Sequence, residues 1–296
     1  MSDKSSYAPF LAFSTVCLIW GSTFLFIGLN EKVMPPMWAL SLRLLFAGVL
    51  LSGIMLVRGI PFPRGEALRV VVWYGLCEFG GNLGLLYWGE TKLPSGLAAV
   101  IYGTSPILTM MMESAFGMEK LDLRRLGGAI AALVGIAIIF WREIAFGVSP
   151  LGILAVFAAA TLGTLGVILL KRGPSQSPIG ANAVGFIVAL PIVLAASFLL
   201  RESHPIPQTL ADWGPLVYLV IVGSLGAFVL FAWLIGKWKA SNASFVAVIV
   251  PVIAVILGVT VGSEQLAPGS LIGAAVVIIA TAVVLAMEAR RDPTAS

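Results

Sequence analysis

Displaced by 145 residues without a gap, the sequence falls on itself: Gly81 meets Gly226, Leu85 Leu230, Trp88 Trp233, Lys92 Lys237, Pro106 Pro251, Gly117 Gly262, Glu119 Glu264 and Gly128 Gly273. Each copy holds an odd number of apolar stretches, five, so the second must enter a membrane from the opposite side to the first. A chain built this way is expected to form two inverted halves around a site near the bilayer midplane, the usual architecture of alternating-access carriers.

Hydrophobic residues make up 59% of the 296 and charged residues 11%, far from ordinary soluble composition. A bilayer core roughly 30 Å thick takes about 20 residues of helix per crossing. Spans are expected near 9–29, 36–57, 67–89, 94–117, 123–141, 150–171, 178–200, 213–236, 242–262 and 268–288. They are continuously apolar rather than alternating, and helices satisfy their own backbone groups in lipid, so the expectation is helices and not a barrel. The predicted fold is an all-α membrane protein of ten transmembrane helices in two inverted five-helix repeats, 1–145 and 146–288, followed by a cytoplasmic tail over 289–296. The first span is too long for a signal-peptide core and lacks an A-x-A pattern, so it is expected to stay. Cys17 and Cys77 fall inside spans and read as small apolar side chains.

A formal net charge of +4 invites a nucleic-acid reading until the charges are placed. With the N-terminus inside, the inner loops collect Lys4, Arg58, Arg64, Arg69, Lys120, Arg124, Arg125, Lys171, Arg172, Lys237, Lys239, Arg290 and Arg291, and the outer loops only Lys32, Lys92, Arg142 and Arg201. This is the positive-inside pattern of a protein with both termini in the cytoplasm, here expected to be the cytoplasmic side of a cell inner membrane. No nucleic acid is needed to explain it. The loops are short and marked by Pro and Gly. The single histidine, His204, lies in the longest outer loop, where a solvated side chain is the simplest reading.

The run Gly84-Leu85-Leu86-Tyr87-Trp88, then Pro94 to Val100, Ser105-Pro106, Glu119-Lys120-Leu121, Leu126-Gly127-Gly128 and Gly135 to Ile138 resembles the EamA repeat of the drug/metabolite transporter superfamily. Trp20-Gly21-Ser22-Thr23-Phe24 is similar to that family's opening motif, and Arg43 sits where its second helix often carries an arginine. The second copy keeps Ser241 to Ala243, Pro251, Glu264-Gln265-Leu266 and Gly273, so the resemblance covers nearly the whole chain. It implies ten helices around a central cavity and export of small metabolites, without naming one.

Ionisable groups at membrane depth cost about 2.5 to 3.5 kcal/mol on insertion scales and are functional candidates by default. Three need explaining: Arg43, Glu78 and Glu113. Tyr74, Glu78 and Asn82 recur at i, i+4 and predict a polar stripe on one face of the third span. Tyr102, Ser105 or Pro106, Thr109 and Glu113 predict a second stripe on the fourth. Arg43 and Glu78 differ in depth by about 6 Å at 1.5 Å per residue, within reach of long side chains. Two readings follow: an Arg43–Glu78 ion pair fixing two helices, or a Glu78 carboxylate that faces the cavity and exchanges a proton or meets a substrate amine. Glu113, near the inner boundary, is expected to snorkel. Trp20 at mid-depth, beside Thr23, reads either as cavity wall or as a lipid-facing or packing residue. Pro106 and Pro251, aligned by the repeat near mid-membrane, predict paired kinks that line the cavity, either as hinges or as static bends tolerated by their neighbours. Glu119 and Glu264 are expected to face the N-terminal dipole of the following helix.

At the offset of 145, Arg43 maps to Val188, Glu78 to Gly223, Asn82 to Ala227, Tyr102 to Ala247, Thr109 to Ala254 and Glu113 to Gly258. The scaffold is symmetric while the polar chemistry is not, so the first half is expected to supply most recognition groups. The candidate substrate-binding set is Trp20, Thr23, Tyr74, Glu78, Asn82, Tyr102 and Thr109, with Glu78 and Arg43 for proton coupling or the ion pair, and no metal or cofactor. The expected partners are the lipid bilayer, a small-molecule substrate and, as coupling ion, a proton. Few fixed charges favour a neutral, zwitterionic or cationic solute over a phosphate ester. No P-loop or H-E-x-x-H motif occurs, which argues against ATP hydrolysis and zinc proteolysis. A secondary exporter is the leading function; a passive facilitator or channel, or an intramembrane enzyme using carboxylates on the third and fourth spans, are the alternatives.

Overall fold

A computed structural model describes residues 7–93, 95–141, 149–260 and 269–291, and every regular element among them is helical. The helices are α1 (Ala8–Glu31), α2 (Pro36–Val57), α3 (Glu66–Gly75), α4 (Gly84–Glu90), α5 (Ser95–Tyr102), α6 (Ser105–Ala115), α7 (Leu123–Ile139), α8 (Pro150–Arg172), α9 (Pro178–Leu199), α10 (Leu210–Tyr218), α11 (Ala227–Lys237), α12 (Ala240–Ala243), α13 (Val246–Thr260) and α14 (Ser270–Arg291). Six described stretches are long and apolar enough to cross a membrane: Ala8–Glu31, Pro36–Val57, Pro150–Arg172, Pro178–Leu199, Leu210–Lys237 and Ala240–Leu257. The other expected spans are helical but shorter, broken or richer in polar residues. Large apolar side chains such as Val57, Leu199 and Leu210 cover the outside, while Arg43, Glu78, Asn82, Thr109 and Glu113 are buried. That reversal of the soluble pattern is what lipid selects.

Two breaks in regular α geometry set up the interior. α3 runs through a π-helical segment, Leu76–Leu83, into α4; α10 runs through another, Leu219–Gly226, into α11. Displaced by 145, the first overlaps the second. Both carry glycines, Gly80 and Gly81 in one and Gly223 and Gly226 in the other. The i→i+5 turn is wider than an α-turn and rotates less per residue, which re-aims the side chains that follow.

The fourth span is interrupted. α5 ends at Tyr102, Gly103 and Thr104 form a turn, and α6 starts at Ser105. Pro106 therefore lies in the first turn of a new helix, where its missing N–H would have had no helical partner. Pro251 sits inside α13 and does remove an interior bond. The paired mid-helix kinks expected from the sequence are thus a helix start in one copy and a true interior proline in the other.

Contacts between the two halves are densest for α2 with α9 and for α7 with α14, elements 145 residues apart in sequence. Both pairs run antiparallel. A Cβ at Gly128 would lie 2.2 Å from Val284, and one at Gly273 would lie 2.7 Å from Ile139; the four positions exchange under the 145-residue offset. At Gly135 a Cβ would be 2.9 Å from the Gly273 carbonyl oxygen, so only glycine lets these backbones approach, as small residues do in membrane bundles.

The loop that carries Glu202 and His204 is packed, not merely solvated. Glu202 accepts from the N–H groups of Met37 (3.1 Å) and Trp38 (2.8 Å), and so occupies the positive end of α2. His204, expected in water, lies edge-on to Trp38 and over Phe198, with Ser197 Oγ 3.2 Å from its Nε2. Cys17 and Cys77 are buried free thiols, as expected.

Candidate functional site

A central cavity, about 1150 Å³ of empty space with its mouth included, separates two buried clusters of the bundle. Trp20 packs against both clusters. Its walls come from α1, α2, the α3–α4 unit, α5, α6, α8, α11 and α13. Most of the lining is apolar, so the polar groups are few and placed.

The first polar group is a chain on the α3–α4 unit and α5. Asn82 Nδ2 donates to Glu78 Oε1 at 3.2 Å, and Tyr102 OH donates to Asn82 Oδ1 at 3.0 Å. Glu78 is 5% exposed, its remaining surface facing the cavity. Gly163 on α8 makes the chain possible: a Cβ there would be 2.6 Å from Asn82 Nδ2 and 3.3 Å from Glu78 Oε2.

The second is Arg43, 3% exposed, on α2. Its Nε donates to Ser224 Oγ at 2.8 Å and Nη1 to Tyr87 OH at 3.1 Å. Nη2 points toward Gly223, 3.3 Å from where a Cβ would stand. The Arg43–Glu78 ion pair considered from the sequence is not formed among the described residues. Glu78 is turned by its π-helical segment toward Asn82 and α8, while Ser224 and Tyr87 offer Arg43 nearer acceptors. The Glu78 carboxyl and the Arg43 guanidinium therefore line one cavity without pairing with each other.

Trp20 forms the aromatic wall with Phe228 and Phe231, each ring centroid 4.9 Å away. Thr23 Oγ1 donates to the Trp20 carbonyl (2.7 Å) and Thr109 Oγ1 to the Ser105 carbonyl (2.7 Å). With their protons spent on their own helices, both hydroxyls present lone pairs to the cavity.

Six of the seven candidate binding residues, Trp20, Thr23, Glu78, Asn82, Tyr102 and Thr109, line the cavity, together with Arg43 and Pro251. Tyr74 does not line it. It is fully buried, donates to Asn182 Oδ1 at 3.3 Å and packs on Phe79. Gly75 seats that part of the helix against α9, where a Cβ would be 2.4 Å from Gly185 Cα. The i, i+4 stripe assumed an ideal α-helix, and the π-helical segment breaks it between Tyr74 and Asn82. Pro106 is buried but is not part of the wall.

Sequence reasoning passed over Tyr87, Glu90, Gly163, Thr164, Ser224 and the pair Phe228 and Phe231. Gly163 and Ser224 carry no local signal of their role. Glu90 could have been found as a carboxylate one helical turn beyond Tyr87 at the end of the third span. Glu113, expected to snorkel, is instead 2% exposed and accepts from the Ser241 N–H at 3.3 Å. A backbone donor brought in from the second half replaces water. Glu119 pairs with Lys239 at 3.2 Å, and the N-terminus of α7 is capped by Asp122, which accepts from Arg124 N at 2.9 Å. Glu264 lies outside the described residues.

Comparison with known proteins agrees with this architecture. Over 276 residues, covering 93% of this chain and 90% of the relative, 28% are identical to the uncharacterized inner membrane transporter YedA of Escherichia coli (strain K12). A probable amino-acid metabolite efflux pump of Salmonella typhimurium (strain LT2) is 26% identical over 294 residues, covering 94% and 95% of the two chains. An S-adenosylmethionine/S-adenosylhomocysteine transporter of Chlamydia trachomatis serovar L2 is 26% identical over 302 residues, covering 96% and 90%. A solved crystal structure shares the fold with a TM-score of 0.77 over 98% of this chain and 99% of the other, at 21% identity. Residues 8–141 and 150–286 each match the EamA-like transporter family, and the chain, a multi-pass helical membrane protein, belongs to that family.

Proposed function

We propose that this transporter is a secondary exporter of small zwitterionic metabolites, amino acids or related solutes, working by alternating access. The observation that carries the reading is a cavity with a carboxylate and a guanidinium held apart on different walls. Arg43 has neutral partners and a third nitrogen turned toward the second half, suited to a solute carboxylate. Glu78 keeps one oxygen for a solute ammonium or a proton. Trp20, Phe228 and Phe231 suit an apolar side chain. A guanidinium and a carboxyl on different walls of one low-dielectric space suit a solute carrying both signs, which can meet each with its opposite.

Ten spans in two inverted five-helix repeats are supported by the antiparallel packing of elements 145 residues apart and by the exchanging contacts at Gly128, Val284, Gly273 and Ile139. The Lys and Arg distribution supports cytoplasmic termini, and the inner-membrane relatives support that location. The probable amino-acid metabolite efflux pump supports the solute class and direction.

The test is counterflow in proteoliposomes. Preloaded unlabelled amino acids should drive transient accumulation of labelled solute, with zwitterions competing better than the matched amine or carboxylic acid. Linear, unsaturable flux with no counterflow would show a passive facilitator and sink the proposal.

A further inference from the structure

Besides Glu78, a second carboxyl reaches the cavity wall: Glu90, the last residue of α4. Helical spacing puts it there. Leu83, Leu86, Tyr87 and Glu90 recur at i, i+3, i+4 and i+7, which is one face of a helix, and all four line the cavity. Tyr87 OH holds Arg43 Nη1 at 3.1 Å, so Glu90 stands one helical turn from the residue that orients the guanidinium.

The fold gives Glu90 no partner. Among the described residues it makes no hydrogen bond and no ion pair, and the charge that acts on it is another carboxyl, Glu31 at the end of α1. A carboxyl on a mostly apolar wall, with a like charge in range and no cation to meet it, contributes little to packing and is disposed to receive a cation. Displaced by 145, Glu90 becomes Ile235, a buried core residue. It belongs with the polar chemistry of the first copy and not with the repeated scaffold.

The cavity thus carries two carboxyls and one guanidinium, and the carboxyls are spaced along one wall. Glu78 and Glu90 are 12 residues apart on the α3–α4 unit, about 18 Å at the α-helical rise and less across the π-helical segment. Leu83 and Leu86 make the stretch between them apolar. Tyr102 lies within electrostatic range of both carboxyls. A short zwitterion can meet Arg43 and one carboxyl, which leaves the other without a counter-charge.

Resting on the zwitterion reading above, we infer that Glu90 receives a second cationic group, and that the preferred solutes are amino acids with a basic side chain. The solute carboxylate meets Arg43, its α-ammonium meets Glu78 and its side-chain cation meets Glu90, with the methylenes against Leu83 and Leu86. A carboxyl that is protonated beforehand releases its proton to water as the cation settles, because an opposite charge favours the ionised form.

The test is competition for counterflow of labelled norleucine in proteoliposomes. Lysine, which differs from norleucine by its terminal ammonium, should compete about tenfold or more better, the worth of a hydrogen bond to a charged group. Along 2,3-diaminopropionate, 2,4-diaminobutyrate, ornithine and lysine the advantage should grow, as the second ammonium comes within reach of Glu90. Glu90→Gln should lower the ratio of lysine to norleucine affinity by about tenfold. Equal competition by lysine and norleucine, or a folded Glu90→Gln protein that keeps the lysine advantage, would overturn the role of Glu90 and leave the zwitterion reading standing. If Glu90→Gln does not fold, the length series decides on the parent alone, and a flat series overturns the role. No saturable counterflow with any of these solutes would overturn the zwitterion reading and the role of Glu90 together.

Discussion

Arg43 and Glu78 face one cavity, but each is satisfied by a neutral neighbour: Arg43 by Ser224 and Tyr87, Glu78 by Asn82. A direct ion pair would have locked two helices of the first half together. Under the proposed function, keeping the two groups unpaired leaves both available to a solute.

Replacing Glu78 by Gln keeps the shape and the Asn82 contact on Oε1 while removing the charge. Transport of zwitterions and amines should fall by about tenfold or more, the worth of a hydrogen bond to a charged group, and the pH dependence of uptake should flatten. Uptake by purified, reconstituted protein across a pH series checks this; an unchanged pH profile would exclude Glu78 from proton coupling.

Arg43→Gln should act on the other end of the solute. Competition by amino acids should weaken by about tenfold, while competition by the decarboxylated amine should hold steady. Arg43→Lys should recover only part of the loss, because an ammonium cannot serve Ser224, Tyr87 and a carboxylate with one planar fork. Equal losses for both solutes would assign Arg43 to helix packing.

Gly163→Ala places a methyl 2.6 Å from Asn82 Nδ2. It should break the Asn82–Glu78 contact and destabilise the protein by about 1–3 kcal/mol, the usual range for overpacking. Gly127→Ala, at a helical site with nothing within 4 Å, should be neutral or stabilising by up to about 1 kcal/mol. Thermal melting of the two variants side by side reads the difference.

Pro251→Ala restores an interior backbone donor in α13 and removes a wall residue, so it should shift the balance between inward and outward accessibility. Pro106→Ala changes only the first turn of α6 and should cost less than about 1 kcal/mol with little effect on that balance. Cysteine accessibility from the two membrane faces separates them; equal shifts would return the prolines to the symmetric hinge role suggested by their alignment.

Several of these positions show how far one dimension reaches. Glu78, Asn82, Tyr102 and Thr109 were legible as cavity residues because a polar group in an apolar span has few other reasons to exist. Trp20 was legible by its depth. Tyr74 misled, because its place in the stripe depended on a helical period that the π-helical segment Leu76–Leu83 changes. Pro106 misled in the same way: alignment with Pro251 says where a proline lies, not whether a helix starts or continues there.

The sequence by itself determined that the chain is helical and membrane-embedded, that it is built twice, and that its polar chemistry belongs mainly to the first copy. Those properties follow from composition, spacing and charge, which the bilayer reads as a solvent reads any solute. Only the tertiary structure decided which way each polar side chain turns and what it meets. Rotation about a helix axis is fixed by close contacts such as Gly163 against Asn82 and Gly75 against Gly185, between residues distant in sequence, and such contacts leave no periodic trace along the chain.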